Sequence, residues 1–484
     1  MLPADRLERV WSWGGATSAM SWVYRPTTIG GLHEVLALAR AEGRTIGLRG
    51  AGQSYGDAAT NAENLCLDTS RMNRILEWDP ASGRIRVEPG VTIGQLWRYT
   101  IEDGWWPPVV SGTMFTSLGG AAAMNIHGKN NWKVGTIGEH VEAFELLLPS
   151  GEIVRCSREE RSDLFHAAIG GFGMLGCFTS LTLRLKRIHS GLLEVEPIPI
   201  RSLGEMFDVV EERMDAADYL VGWVDTFGRG RGLGRGLVHH ATYLRDGEDP
   251  MAAQTLRVAS QELPPTLMGV VPKSLMWLAM RPFTNDPGVR LVNATKYGLS
   301  ALEGRRRYRQ SHVGFAFLLD YVPDWKRSYG GGGLIQYQTF LPAATARDVY
   351  REILERSHRA GLTPYLGVFK RHRMDPFLMT HAVDGYSLAL DFKVTARNRR
   401  RLWEHAADLT RVVLDAGGRF YFAKDSTLTA SQLETYLAEE RVQRFLALKR
   451  RLDPEGLLVT DLYRRIFRGP DAMDKEARDG RISP

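Results

Sequence analysis

Cysteine is scarce: 484 residues contain only Cys66, Cys156 and Cys177. They are widely spaced, form no Cys-x-x-Cys pair and adjoin no histidine cluster, which excludes a disulfide scaffold and a structural zinc site. No run reaches the roughly 18 uninterrupted apolar residues that span a bilayer. The opening Met1-Leu2-Pro3-Ala4-Asp5-Arg6 also lacks the apolar stretch of a secretory signal, so a soluble cytoplasmic chain is expected. Charge of one sign is not in large excess either. A net charge of +6 does not require nucleic acid, but it suits an anionic ligand or a membrane surface. Glycine is plentiful, at 50 residues, and the chain is long enough for two or more cores.

The first 190 residues read as short strands and helices punctuated by glycine. Strands are expected at 45–49, at 84–88 and at 144–148, the last forming a hairpin with 152–155 around Pro149-Ser150-Gly151. Leu181, Leu183 and Leu185 alternate with Thr182, Arg184 and Lys186, which predicts a strand with one wet face. Mixed elements in this order fit an α+β domain better than a regular βαβ array. From about 195 to 415 the texture changes to strands such as 334–340 and helices such as 346–360, as in a second domain. A further helix is predicted over 431–452, stopped by Asp453-Pro454-Glu455-Gly456. The apolar stretch 263–283, interrupted by Lys273 and Arg281, reads first as a buried or interface segment and second as a mobile lid touching a membrane.

Three glycine clusters carry chemistry. The first, Arg49-Gly50-Ala51-Gly52-Gln53-Ser54-Tyr55-Gly56-Asp57, follows a strand; glycines there let backbone N–H groups close around phosphate oxygens. A Rossmann fingerprint would need Gly-x-Gly-x-x-Gly opening a helix and an acidic residue about 20 positions on. Neither this loop nor the run Gly228 to Gly236 meets that pattern, and the latter reads as a flexible turn between strands. The second cluster runs from Ser111-Gly112-Thr113 through Ser117-Leu118-Gly119-Gly120 to Met124-Asn125-Ile126-His127-Gly128-Lys129. Its small residues permit backbone to approach a flat ligand, and His127 and Lys129 bring polar groups to the edge. The third, Gly170-Gly171-Phe172-Gly173, precedes a strand.

With these motifs the sequence resembles FAD-linked oxidoreductases of the vanillyl-alcohol-oxidase type over nearly its whole length. The likeness extends to Trp223 and Asp225, Leu334-Ile335-Gln336-Tyr337-Gln338, Val368-Phe369-Lys370 and Ala423-Lys424-Asp425-Ser426. It implies an α+β, two-domain FAD-binding fold of the PCMH type: residues 1–192 bind FAD, 193–414 form an α+β substrate or cap domain, and 415–484 return to the first. By the same resemblance FAD would be held by Arg49, Gly50, Ala51, Gly52, Gln53, Ser54, Tyr55, Gly112, Ser117, Leu118, Gly119, Gly120, Met124, Asn125, Ile126, His127, Phe178 and Tyr421. Lys424, Tyr55 and His127 would be catalytic, with Lys424 as base or electrostatic stabiliser. Lys129, Trp223, Gln338, Lys370, Ser387 and Lys424 would meet the substrate.

The implied activity is oxidation of a sugar CH–OH to a ketone, at the 2-hydroxyl of a polyprenyl-phosphoryl ribose, as the first step of epimerisation to arabinose. An NAD(P)H-dependent short-chain reductase partner would complete that sequence, and peripheral membrane contact would suit the lipid. Oxidation of an alditol or aldonolactone and flavin-dependent reduction of a lipid alkene are the alternatives. Some members tether FAD through a histidine in the first loop or a cysteine in the second. Gln53 and Met114-Phe115 stand there, so dissociable, non-covalent FAD is expected. A pocket cysteine, asparagine and tyrosine of the mycobacterial-type members become Ala389, Ser387 and Ala316. The basic runs 305–309 and 397–401 lack any nucleic-acid-binding module around them, so no nucleic-acid partner is expected.

Overall fold

A computed structural model describes residues 2–267 and 271–468. The chain starts with a four-stranded sheet in the order Leu7–Trp11, Ser18–Tyr24, Leu65–Asp68, Ile46–Arg49, antiparallel at the first pair and parallel thereafter. A five-stranded antiparallel sheet follows, ordered Ile75–Asp79, Arg84–Val87, Cys177–Arg184, Val141–Leu147, Ile153–Ser157. The hairpin expected around Pro149 is its edge pair. The strand Cys177–Arg184 departs from the expected wet face: all its residues but Arg184 are buried. Ser180 gives its hydroxyl to Glu145 at 2.7 Å, and Arg86 reaches the same carboxylate at 2.8 Å, so the polar face lies under its own ion pair.

An eight-stranded antiparallel sheet forms the second half. Its order is Tyr308–Ser311, Leu192–Ile200, Gly236–Tyr243, Tyr219–Val224, Leu366–His372, Gly385–Lys393, Leu334–Pro342, Arg419–Phe420. The helices Leu203–Arg213, Ala343–Arg359 and Arg399–Asp415 pack along one face of it. Period-two geometry sends alternate side chains to the other face. Residues 336 and 338, 366, 368 and 370, and 387, 389 and 391 therefore point one way in register: Gln336 pairs with Asp391 and Asp391 with Leu366, and Gln338 pairs with Ala389 and Ala389 with Val368. This is the wall that faces the first half of the chain.

The last part of the chain contacts both halves. Arg419–Phe420 forms the sheet edge, while Leu458 bridges to Ile46 in parallel fashion beside the first sheet. Arg465 ties the first glycine loop to this segment, donating to Asp57 at 2.7 Å and lying 2.8 Å from Asp425. The single helix expected over 431–452 is two, Ala430–Leu437 and Glu439–Leu452, because Ala438 adopts a positive φ of 52° that breaks the hydrogen-bond ladder. Residues 469–484 lie outside the described part.

The Gly228–Gly236 run does connect two strands, but it is tightly held: Arg235 pairs with buried Asp225 at 2.9 Å. Of the stretch 263–283, residues 268–270 lie outside the described part. The remainder is largely exposed rather than buried, with Leu275, Leu278 and Phe283 open to solvent and Lys273 turned inward. The three cysteines are free and buried. Among the described residues no helix is long and apolar enough to cross a membrane, and no cluster of His, Cys, Asp and Glu could hold a metal.

Candidate active site

A cavity of about 630 Å³ runs between the glycine loops and the free face of the large sheet. On the loop side, Ala51 N–H donates to Ser117 Oγ at 3.1 Å, locking the first two clusters together. A side chain at Gly50 would put its Cβ 2.3 Å from Ser117 Oγ, and one at Gly119 would put its Cβ 2.6 Å from Pro89 Cβ. These glycines are required by close approach. Gly52 has φ +66°, and the N–H groups of Gly52, Gln53 and Ser54 donate to no protein acceptor among the described residues. A run of free N–H groups at a glycine turn is an anion cradle, the arrangement a pyrophosphate needs. The Arg49 guanidinium, by contrast, is held by the Ala59 and Trp11 carbonyls.

Of the residues expected to hold the cofactor, Leu118 and Asn125 do not line this cavity. Leu118 opens a short helix with its side chain in the core, and Asn125, at φ 46°, turns its amide to Asp375 at 3.1 Å and accepts from Gly138 N–H at 3.0 Å. Their neighbours in sequence face the cavity, so these two support the loop from behind. The other named cofactor residues line it, as do all six substrate-side residues, together with Ala316 and Ala389. Asp225, from the same motif as Trp223, is a structural residue that binds Arg235, Asn293 and the Phe227 N–H.

His127 sits at the bottom among aromatic rings: its centroid is 4.9 Å from His372, 5.4 Å from His381, 5.5 Å from Phe340 and 5.4 Å from Tyr421. Burial, with Lys370 and the neighbouring imidazoles adding to it, holds His127 well below the usual histidine range, so the ring is neutral. The Gln338 amide donates to its Nε2 at 3.0 Å, which puts the ring proton on Nδ1, a buried atom with no partner among the described residues. That N–H is available to a bound group.

Lys424 lays its ammonium 3.6 Å from the centre of the Tyr55 ring. Burial lowers its proton affinity, the Asp391 carboxylate raises it, and Lys370 lowers it again. The Tyr55 hydroxyl is buried without a partner, and its burial keeps it a phenol. Burial brings Lys370 down to about 8. Lys129 is brought down to about 7 by burial and by Lys370, yet its ammonium already donates to the carbonyls of Phe315 and Ala316. Of the two, Lys370 is the freer for a ligand.

Several lining residues had no motif to announce them: Trp13, His239, Lys296, Tyr321 and Cys177. Lys296 comes from the helix Asp286–Glu303 and stacks 4.2 Å from the Trp223 ring centre. The Cys177 thiol is pushed up to about 12 by burial. Asp320 closes one edge, accepting from Thr113 Oγ1 and Met114 N–H, both at 2.7 Å, so the 318–320 turn is latched onto the second glycine cluster. Gln336 also lines the cavity: it lies within the run Leu334 to Gln338 that carries the resemblance and shares the period-two face of Gln338, but is not among the expected site residues.

A flat ligand with an anionic group therefore fits this cavity: its lining combines the free N–H groups of Gly52 to Ser54, small residues of the glycine loops, and the unpartnered Tyr55 hydroxyl and His127 Nδ1. The comparisons agree on its class. The FAD binding domain family model matches residues 20–157, and the protein is an FAD-dependent oxidoreductase. The chain is 30% identical to the decaprenylphosphoryl-β-D-ribose oxidase of Mycolicibacterium smegmatis over 468 residues, covering 95% of this chain and 97% of that one. It is 23% identical to a putative D-arabinono-1,4-lactone oxidase of Neurospora crassa, over 96% of this chain and 86% of the other, and 28% identical to mouse (Mus musculus) L-gulonolactone oxidase over 40% and 43%. The chain belongs to the FAD-linked oxidoreductase family that holds the decaprenylphosphoryl-ribose oxidase.

Proposed function

We propose that the protein oxidises the 2-hydroxyl of a polyprenyl-phosphoryl ribose to a ketone. The observation that carries this is a pair of lysines lining the cavity, Lys370 on the strand Leu366–His372 and Lys424 in the turn after the sheet edge: among the described residues neither has a carboxylate within ion-pairing distance. A cavity that leaves ammonium groups uncompensated calls for an anionic ligand, and a phosphate supplies the charge that a free lactone lacks. The name of the Mycolicibacterium smegmatis relative supports the same substrate class.

In this reading residues 1–192 and the segment from 415 hold FAD, and 193–414 present the sugar. Arg49 to Tyr55, Gly112, Ser117, Gly119, Gly120, Met124, Ile126, His127, Phe178 and Tyr421 would hold the cofactor, which supplies two-electron acceptance from a carbinol C–H. Lys424 and Tyr55 orient the hydroxyl and take up or stabilise the charge left as its proton leaves. His127 Nδ1–H donates to the bound group, and Lys370, Gln338, Ser387, Trp223 and Lys129 hold the phosphoryl sugar, with Lys296, stacked on Trp223, as a further cation for its phosphate. FAD is dissociable, because Gln53 cannot form the tether and the Cys177 thiol is held in its unreactive form. Exposed Leu275, Leu278, Phe283, Leu299 and Leu302, with Arg281, Arg305 and Arg306, suit contact with an anionic membrane that carries such a lipid. A separate NAD(P)H-dependent reductase would consume the ketone. Aldonolactone oxidation, the second reading, draws on the relatives of that name.

Anaerobic mixing of the holoenzyme with a short-chain polyprenyl-phosphoryl ribose is expected to bleach the flavin within seconds, and L-gulonolactone to bleach it far more slowly. The reverse order would replace the first reading with the second.

A further inference from the structure

The sheet leaves one buried histidine that the reading above does not use. His372, at the end of the strand Leu366–His372, is 0% exposed and does not itself line the cavity, but its Nε2 lies 2.8 Å from the hydroxyl of Ser387, which does. Among the described residues this is the one hydrogen bond of the Ser387 side chain. Ser357, which meets His405 Nε2 at 3.1 Å, differs, because it gives its proton to the Ile353 carbonyl at 2.8 Å. The Ser387 hydroxyl has no such internal acceptor and stands at a cavity wall.

A serine hydroxyl rotates, so the atom it meets decides what it offers to a third group. Burial, with Lys370, His381 and Arg371 adding to it, holds His372 well below the usual histidine range, so the ring is neutral and carries one proton. Its Nδ1 is buried without a partner among the described residues. A proton there would be an orphaned donor closed off from the cavity, and orphaned buried N–H groups are rarer than bare acceptors. His312 makes the same choice: its Nε2 lies 3.0 Å from the Ser190 carbonyl and must donate to it, which leaves a bare, buried Nδ1. The His372 proton is therefore on Nε2 and is given to Ser387 Oγ, and the hydroxyl proton is left for a group in the cavity.

Lys370 and Ser387 lie directly opposite each other on neighbouring strands and share a face, an arrangement that sets Cβ atoms about 5 Å apart. We propose that His372 is a positioning residue of the substrate site: it holds Ser387 as a hydroxyl donor beside the Lys370 ammonium, so that this part of the wall presents two donors and selects an acceptor oxygen of the phosphoryl sugar. An amide or ammonium group presented at this point meets donors on both sides and is rejected. The proposal rests on the reading above that places the sugar against Lys370 and Ser387.

The holoenzyme and its variants His372→Phe, His372→Gln, Ser387→Ala and His372→Phe/Ser387→Ala are titrated anaerobically with a short-chain polyprenyl-phosphoryl ribose, and flavin bleaching gives the half-maximal concentration and the maximal rate separately. His372→Phe and Ser387→Ala are each expected to raise the half-maximal concentration about tenfold, with the maximal rate within about threefold of wild type, as loss of one directed hydrogen bond implies. The double variant goes no higher than Ser387→Ala, and His372→Gln, whose amide can donate to the same hydroxyl, recovers most of the loss. Multiplied effects in the double variant would mean that His372 acts elsewhere than through Ser387, and an unchanged His372→Phe would overturn the proposal outright. A wild type that the phosphoryl sugar does not bleach brings down the substrate reading and this proposal with it, whereas a bleached wild type with unmoved variants brings down this proposal alone. Should His372→Phe fail to retain flavin, the tautomer decides. Nitrogen-15 labelling of the histidines in the wild-type holoenzyme is expected to show His372 with its proton on Nε2, the signal being identified by its loss in His372→Gln, and a proton on Nδ1 overturns the proposal.

Discussion

The two walls of the cavity are built by opposite means. The glycine-loop wall acts through backbone: free N–H groups at Gly52, Gln53 and Ser54, and contacts such as Gly50 on Ser117 that leave no room for a Cβ. The sheet wall acts through side chains, Lys370, Gln338, Gln336 and Ser387, each set by strand parity and register. A backbone site tolerates almost no change in residue size but is indifferent to charge, whereas a side-chain site tolerates changes in size but depends on charge. The first wall suits an invariant cofactor and the second a substrate that varies among relatives, as the departures implied by resemblance at Ser387 and Ala389 illustrate.

The comparison can be broken most severely from the loop side. Gly119→Val forces a branched side chain against Pro89, whose Cβ already lies 2.6 Å from the nearest added atom. The purified variant is expected to carry less than about a tenth of the wild-type flavin by visible absorbance relative to protein, since small-to-large changes at closed contacts cost ~1–3 kcal/mol or more. Normal flavin content would mean that this wall does not hold FAD.

From the sheet side the losses are selective. Lys424→Met is expected to keep its flavin and lose about 10²- to 10³-fold in the rate of flavin reduction by substrate. Stopped-flow reduction checks this, and an unchanged rate would remove Lys424 from the reacting centre.

The smallest effect sharpens the contrast through stability. Burial lowers Lys370 to about 8, below the ordinary lysine value near ~10.5. The folded protein therefore releases this proton before the unfolded chain does. The penalty for holding the charge is full below about pH 8 and vanishes as pH approaches about 10.5. Lys370→Met, freed of that penalty, is expected to melt a few degrees higher than wild type at pH 7 and to lose the advantage by pH 10. A variant that melts lower at pH 7 would mean that Lys370 is well compensated in the folded protein.

How much of this was legible follows the same division. The loop wall could be read from sequence because a backbone site is contiguous: Gly50 to Tyr55 and Gly112 to His127 are local runs. Leu118 and Asn125 were misplaced because neighbouring residues in a tight loop point in opposite directions, and only the fold says which way. On the sheet side, Gln338 and Lys370 follow from resemblance, while Gln336 and Lys296 escape. Period two, carried one step along the same strand, reaches Gln336 from Gln338. Lys296 had no such signal, since it comes from a helix that reaches the wall only through tertiary packing. The break at Ala438 was equally hidden, because alanine favours a helix and its positive φ is imposed by context.

The division of labour between the walls is tested most directly by Lys296→Met/Lys370→Met, titrated anaerobically with a short-chain polyprenyl-phosphoryl ribose. The account predicts a full complement of flavin, released into the supernatant on acid precipitation, and a concentration for half-maximal bleaching raised by about 100-fold, as loss of two charge-assisted contacts implies. Wild-type bleaching at wild-type concentrations would contradict it, because the sheet wall would then not be what holds the anionic sugar.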